Sequence, residues 1–175
     1  MLCPELKDEK NWRVSSGTAV AAGLLSERVD VLPTTAYLML GERCQYNCAF
    51  CAQAHDSQAN KAALSRVLWP QFPIDQVVEA IDDAHAKGTL RRACFQVTVG
   101  ADSLEETLDP VHALHTVVVD IPICASVAVR NLDDVDALLQ AGADRVTISL
   151  DAAAERIHKQ VKSGSWTRTW HLLKD

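Results

Sequence analysis

From residue 74 onward the chain alternates between two hydrophobic periods, and that alternation sharply limits the folds open to it. Ile74 to Lys87 sets apolar or small residues at Val77, Val78, Ala80, Ile81 and Ala84, and Gly88 follows. That pattern predicts an amphipathic helix with a C-terminal glycine stop. Ala93 to Val99 predicts a strand, Ser103 to Val117 a helix that Pro110 starts or breaks, and Ile121 to Val129 a strand. Asn131 is a good N-cap for a helix over Leu132 to Ala141, stopped by Gly142. Arg145 to Leu150 predicts another strand. From Ala152 the pattern is helical, interrupted at Ser163-Gly164, with a last helix from Trp166. Upstream, Thr34 to Leu40 (TTAYLML) is β-branched, aromatic and apolar, which predicts a buried strand.

Strict alternation with short connections implies parallel strands joined by right-handed crossovers, an α/β fold. Four such units are visible, whereas a closed eight-unit barrel typically takes about 250 residues. The expectation is a partial barrel or a truncated one, with truncation preferred. Residues 1–33 read as an N-terminal extension in which Asn11 to Ser26 holds a short helix and Pro33 ends the segment. Residues 34–175 read as the barrel domain, and no internal repeat is visible.

Charge and composition narrow the function. Of 175 residues, 48% are apolar and 23% charged, the balance of a globular chain rather than a disordered one. Lys and Arg total 17 against 23 Asp and Glu, a formal charge of −6 with no basic run. A chain of that kind is a poor candidate for wrapping nucleic acid. Gly17 to Leu25 is too short to span a bilayer and lacks a basic leader, so neither a membrane span nor a secretory signal is expected, and the default compartment is the cytoplasm.

The residues from Gly41 to Pro73 form a long connection, and connections of that length inside a compact domain are usually functional. It contains Cys44-Gln-Tyr-Asn-Cys48-Ala-Phe-Cys51, spaced Cys-x3-Cys-x2-Cys, just past the first predicted strand. In a reducing compartment crowded cysteines favour metal over disulfides. Three close thiolates can hold three irons of a four-iron, four-sulfur cluster, leaving the fourth iron open for a ligand. A bland alternative is structural zinc, because His55 follows Cys51 at a spacing that allows a Cys3His site.

This motif, with the aromatic Phe50 directly before the third cysteine and its place after the first strand, resembles the radical S-adenosylmethionine (SAM) superfamily. The resemblance implies a [4Fe-4S] cluster whose open iron chelates SAM, and reductive cleavage of SAM to a 5′-deoxyadenosyl radical that abstracts hydrogen. It implies a partial (β/α)6 TIM-like barrel, of which about four βα units are visible here. An electron donor such as flavodoxin or ferredoxin is implied with it.

Further residues resemble the biotin synthase-like branch. Cys51-Ala52-Gln53 resembles its Cys-x-Gln. Cys94 and Cys124, on the second and third predicted strands, match positions where that branch binds an auxiliary iron–sulfur cluster that supplies sulfur. Alternation puts Cys94, Gln96 and Thr98 on one face, and Cys124, Ser126 and Ala128 on one face. Taken singly, either cysteine reads as a small core residue. Cys3 carries no such argument. Ile148-Ser149-Leu150-Asp151 resembles an Asn-Leu-Asp in which the Asp contacts the SAM ribose, and Ser149 departs from that pattern, which puts the biotin precursor in doubt as substrate. Asp151 reads equally as a helix N-cap. Gly100-Ala101 lies where the superfamily packs backbone against the methionine end of SAM, and reads otherwise as a turn.

Pro33 to Met39, Leu64 to Pro70 and Lys162-Ser-Gly-Ser-Trp166 resemble a group associated with two-component lipoyl synthases. That resemblance implies sulfur insertion into an octanoyl chain on a carrier protein, with a second radical SAM subunit as partner. The cofactor-binding candidates are therefore Phe50, Gly100, Ser126, Ser149 and Asp151, and the metal candidates Cys44, Cys48 and Cys51, with Cys94 and Cys124 for the auxiliary cluster. Alternatives from other classes are a single-cluster mutase or lyase acting on a small molecule, a non-catalytic zinc module, and a fragment that binds no metal stably. Trp166 and Trp170, four apart, predict core packing, and His112 and His115 read as surface or packing residues.

Overall fold

The computed structural model describes residues 11–174. The chain opens with strand β1 (Asn11–Val14) and helix α1 (Ser16–Ala21), and then enters β2 (Thr35–Leu40). A small hairpin, β3 (Ala63–Leu64) and β4 (Val67–Leu68), leads to β5 (Gln71–Pro73). Alternation follows: α2 (Ile74–Ala86), β6 (Arg92–Val97), α3 (Glu105–Val117), β7 (Ile123–Ser126), α4 (Leu132–Gln140), β8 (Arg145–Val146), α5 (Glu155–Val161) and α6 (Trp166–Leu172).

One six-stranded sheet runs in the order β5-β1-β2-β6-β7-β8. Strands β2, β6, β7 and β8 are parallel neighbours in chain order, the topology expected from the alternation. The described residues close no barrel. The barrel expectation is met only as far as a parallel sheet, which is extended beyond β2 by β1, antiparallel to it, and by β5, antiparallel in turn to β1. The short helix expected within Asn11 to Ser26 is α1, but a strand precedes it that the hydrophobic pattern did not announce. Asn11–Val14 belongs to the same sheet as the parallel strands. Cys3 lies outside the described residues.

Alternation within each strand sorts the two faces. Ala36 and Leu38, Ala93 and Phe95, and Ile123 and Ala125 point to the helices and join Val77, Ile81, Val111 and Leu114 in one core. Trp12 from β1 meets Phe95 edge-on, at 5.4 Å and 88° between rings, a favoured aromatic geometry. Pro110 is buried inside α3 and neither starts nor ends it. The strands predicted at 121–129 and 145–150 are shorter than expected, because their C-terminal ends leave the ladder to line a cavity. Trp166 and Trp170 do not join the core. They stack on each other at 5.3 Å, half-buried, and the Lys174 ammonium sits over Trp170. His112 and His115 are exposed, in line with a surface reading.

Candidate active site

The opposite sheet face and the C-terminal strand ends border a cavity of about 260 Å³. Cys44, Cys48 and Cys51 line it, together with Phe50, Ser126, Ser149 and Asp151. Seven candidates drawn from separate segments thus share one wall. Gly100 does not; it lines a neighbouring groove with Tyr46 and Val99. Phe50 is 62% exposed, so its ring stands open to whatever enters.

The cysteine loop is held from three sides. Within it, the Cys44 amide donates to the Gln53 carbonyl (3.1 Å), the Cys51 amide to Cys48 (3.1 Å) and the His55 amide to Tyr46 (2.9 Å). The Cys44 sulfur accepts from the Tyr46 amide at 3.4 Å and from Val99, beyond the end of β6, at 3.3 Å. From the N-terminal side, Arg13 reaches in from β1. Its guanidinium donates to the Gly41 carbonyl and to Gln53 Oε1. The buried Gln53 amide in turn donates to the carbonyls of Lys61 (2.9 Å) and Ala63 (2.7 Å). Arg43 ties the return of the loop through the carbonyls of Ala54, Ser57 and Ala59. From the C-terminal side, the Ala49 amide donates to Val161 (2.9 Å), and the Asn47 amide to Ser163 Oγ (2.9 Å). Gly164 has φ +94 and lies against the Tyr46 ring, where an added Cβ would come within 3.1 Å.

Asp151 sits at the turn after β8. Its backbone is left-handed, φ 60, a conformation that costs most residues about 1–2 kcal/mol and that Asp tolerates better than most. It is not a helix cap, because α5 begins later with Ala154 at that position. Its carboxylate is bonded by the Lys162 ammonium, which also donates to the Ser149 carbonyl.

Cys94 and Cys124 lie one layer deeper. They face each other in register on β6 and β7, two residues before Gln96 and Ser126, which reach the cavity. Cys94 is buried, Cys124 half-buried, and neither is in a disulfide. Gln96 donates to the Cys94 sulfur at 3.2 Å, and the Cys124 sulfur meets Thr147 Oγ1 at 3.1 Å. The bond between the two thiols pulls Cys124 down to about 6, with help from Thr147 and the nearby guanidinium groups of Arg145 and Arg92, against burial. The same bond, reinforced by burial, pushes Cys94 well above the ordinary thiol range. One thiolate therefore forms easily and the second is resisted.

The upper layer carries the donor type that an iron–sulfur cluster takes, three cysteine sulfurs on one loop that all border one cavity, although the three are not drawn together around one point. Among the described residues, no group of three or more His, Cys, Asp or Glu is gathered to hold a metal ion. His55, the fourth ligand of the zinc alternative, is bonded to Asp56 at 2.7 Å and does not line the cavity.

Sequence reasoning left three supporting residues unassigned. Arg13 fell in a segment read as an extension. Gln53 was matched to a motif without a contact to explain it, and Lys162 was noted only as part of a resemblance. A buried amide or cation leaves no periodic trace, so no local signal marked them.

With this geometry in view, comparison with family models assigns the chain: residues 38–175 match the Radical SAM superfamily, and the protein belongs to it. No curated protein matches the chain. Membership makes the protein an enzyme class that cleaves SAM reductively with a [4Fe-4S] cluster. Among the described residues no helix is long and apolar enough to cross a membrane.

Proposed function

We propose that this enzyme inserts sulfur into an unactivated C–H bond, with an acyl chain on a carrier protein as the substrate class and biotin-precursor-like small molecules as the alternative. The observation that carries this reading is the in-register Cys94–Cys124 pair on the cavity's own sheet face, one layer beneath it. Cys44, Cys48 and Cys51 hold the cluster at which SAM is cleaved, and Cys94 and Cys124 contribute two ligands to an auxiliary, sulfur-donating cluster. When bound, SAM and its cluster supply a radical able to take a hydrogen atom from carbon, a step that acid–base groups cannot perform on a C–H bond of this kind. The chain's own task is orientation and exclusion of water. Phe50 offers an aromatic face at the mouth, and Asp151 accepts from the ribose hydroxyls. Ser126 and Ser149 line the same cavity and face the bound substrate, and the backbone at Gly100 borders the methionine end. A flavodoxin- or ferredoxin-like donor supplies electrons, a second radical SAM subunit completes the two-component reaction, and the setting is cytoplasmic.

Iron and acid-labile sulfide, measured with the visible spectrum after anaerobic reconstitution, test this. The comparison is between the native chain and a Cys44/Cys48/Cys51→Ala triple variant. Loss of about four irons with a remainder still bound supports two clusters. Complete loss of iron favours the single-cluster mutase or lyase reading and leaves Cys94 and Cys124 as packing residues. A colourless native protein holding one zinc overturns the proposal.

A further inference from the structure

The Lys162 side chain is 12% exposed, lines the cavity, and spends its donors on two acceptors at one turn, the Ser149 carbonyl and Asp151 Oδ2. We propose that Lys162 is a positioning residue that presets Asp151 for recognition of a vicinal diol, the ribose of SAM. The inference rests on the reading of Asp151 as the ribose acceptor and adds the device that aims it.

An ammonium carries three donors and no acceptor. Two are used on either side of Leu150, which fixes the left-handed turn at Asp151 and anchors one carboxylate oxygen. The other carboxylate oxygen and the third N–H remain to meet a hydroxyl pair, one accepting and one donating. A vicinal diol meets them at two points, one hydroxyl donating to the carboxylate and the other accepting from the ammonium, whereas a single hydroxyl makes both bonds through one oxygen and is held at one point. Lys162 also lies between Val161 and Ser163, the two residues that hold the cysteine loop from its C-terminal side. The diol reader is thereby built on the same short segment that braces the cluster loop.

Equilibrium binding to the reconstituted holoenzyme without reductant tests this, using SAM and its 2′-deoxy analogue, with iron content matched between variants. For Lys162→Met the expected result is about a tenfold loss of SAM affinity with at most about a twofold loss for the analogue. Asp151→Asn should show the same selective loss, and the double variant should be no weaker than Asp151→Asn alone. Lys162→Gln keeps a donor and should fall between the native chain and Lys162→Met; it carries the test if Lys162→Met does not fold. Equal losses for SAM and analogue, or an unchanged ratio between them, in the Lys162 variants would overturn the proposal while Asp151→Asn remains selective. A non-selective Asp151→Asn would instead sink the ribose reading itself.

Discussion

Arg13 Nη1 lies 3.3 Å from Gln53 Oε1, joining an antiparallel strand to the residue two places beyond the third loop cysteine. Gln53 is 3% exposed and uses its amide nitrogen on two loop carbonyls. Its side chain is therefore the hub through which β1 grips the loop. Gln53→Ala leaves those carbonyls without their donor, which should cost about 1–3 kcal/mol of stability. The same change should speed iron loss from the reconstituted protein to a chelator. Unchanged iron release alongside an unchanged denaturation midpoint would refute the hub role.

The shared proton of Cys94 and Cys124 predicts an asymmetric reactivity in the metal-free protein. Cys124 should alkylate with a pH midpoint of about 6, while Cys94 stays unmodified. Replacing Cys94 with Ser weakens the bond that stabilises the thiolate, so the Cys124 midpoint should move toward the ordinary thiol value of about 8.5. Mass-resolved iodoacetamide kinetics across pH give the answer. A native midpoint already near the ordinary value would show that the thiols do not share a proton.

Gly41, between β2 and the cysteine loop, has φ +79, and an added Cβ would come within 2.5 Å of Thr98 Oγ1. Gly41→Ala should destabilise the protein by about 1–2 kcal/mol from the backbone alone, with a further loss from the contact. Thr98→Ala in the same chain removes the contact and should recover only that further part. Denaturant melts of the two variants separate the contributions, and full recovery in the double variant would show that the backbone conformation is free of cost.

Asp134 caps the approach to α4, accepting from the Arg130 amide at 2.6 Å and from its guanidinium at 3.0 Å. The hydrogen bond from the Arg130 side chain is the main reason its carboxyl titrates below the ordinary value, against burial. The folded state thus releases this proton more readily than the unfolded chain. Its contribution is complete above the unfolded pKa of about 3.9 and fades as pH falls through the folded one. Denaturation midpoints of the native protein and Asp134→Asn should differ most at neutral pH and converge as acid is added. A gap that stays constant with pH would contradict the assignment.

Much of the architecture was legible because it is written in periods. The helix α2 follows from the spacing of Val77, Val78, Ile81 and Ala84, and the parallel order of β2, β6, β7 and β8 follows from alternation. The candidate site was legible where chemistry is dense, at Cys44, Cys48 and Cys51, and by strand parity at Cys94 and Cys124. Strand β1 was not, because its four residues are too few to show a period and its partners β2 and β5 lie far along the chain. Nor were the side-chain ties of Arg13, Gln53 and Lys162. Those are contacts between distant segments, which composition and spacing do not encode.

The brace between Asn47 and Ser163 spans 116 residues of sequence. During synthesis the cysteine loop leaves the ribosome long before its clamp exists. A nascent chain carrying the loop and the first parallel strands already has the ties from Arg13, Arg43 and Gln53 but lacks the bonds from Val161 and Ser163, so one of the loop's three sides stays unbraced until that segment arrives. A loop set on all three sides is therefore a late product of synthesis, complete only after residue 163 has emerged.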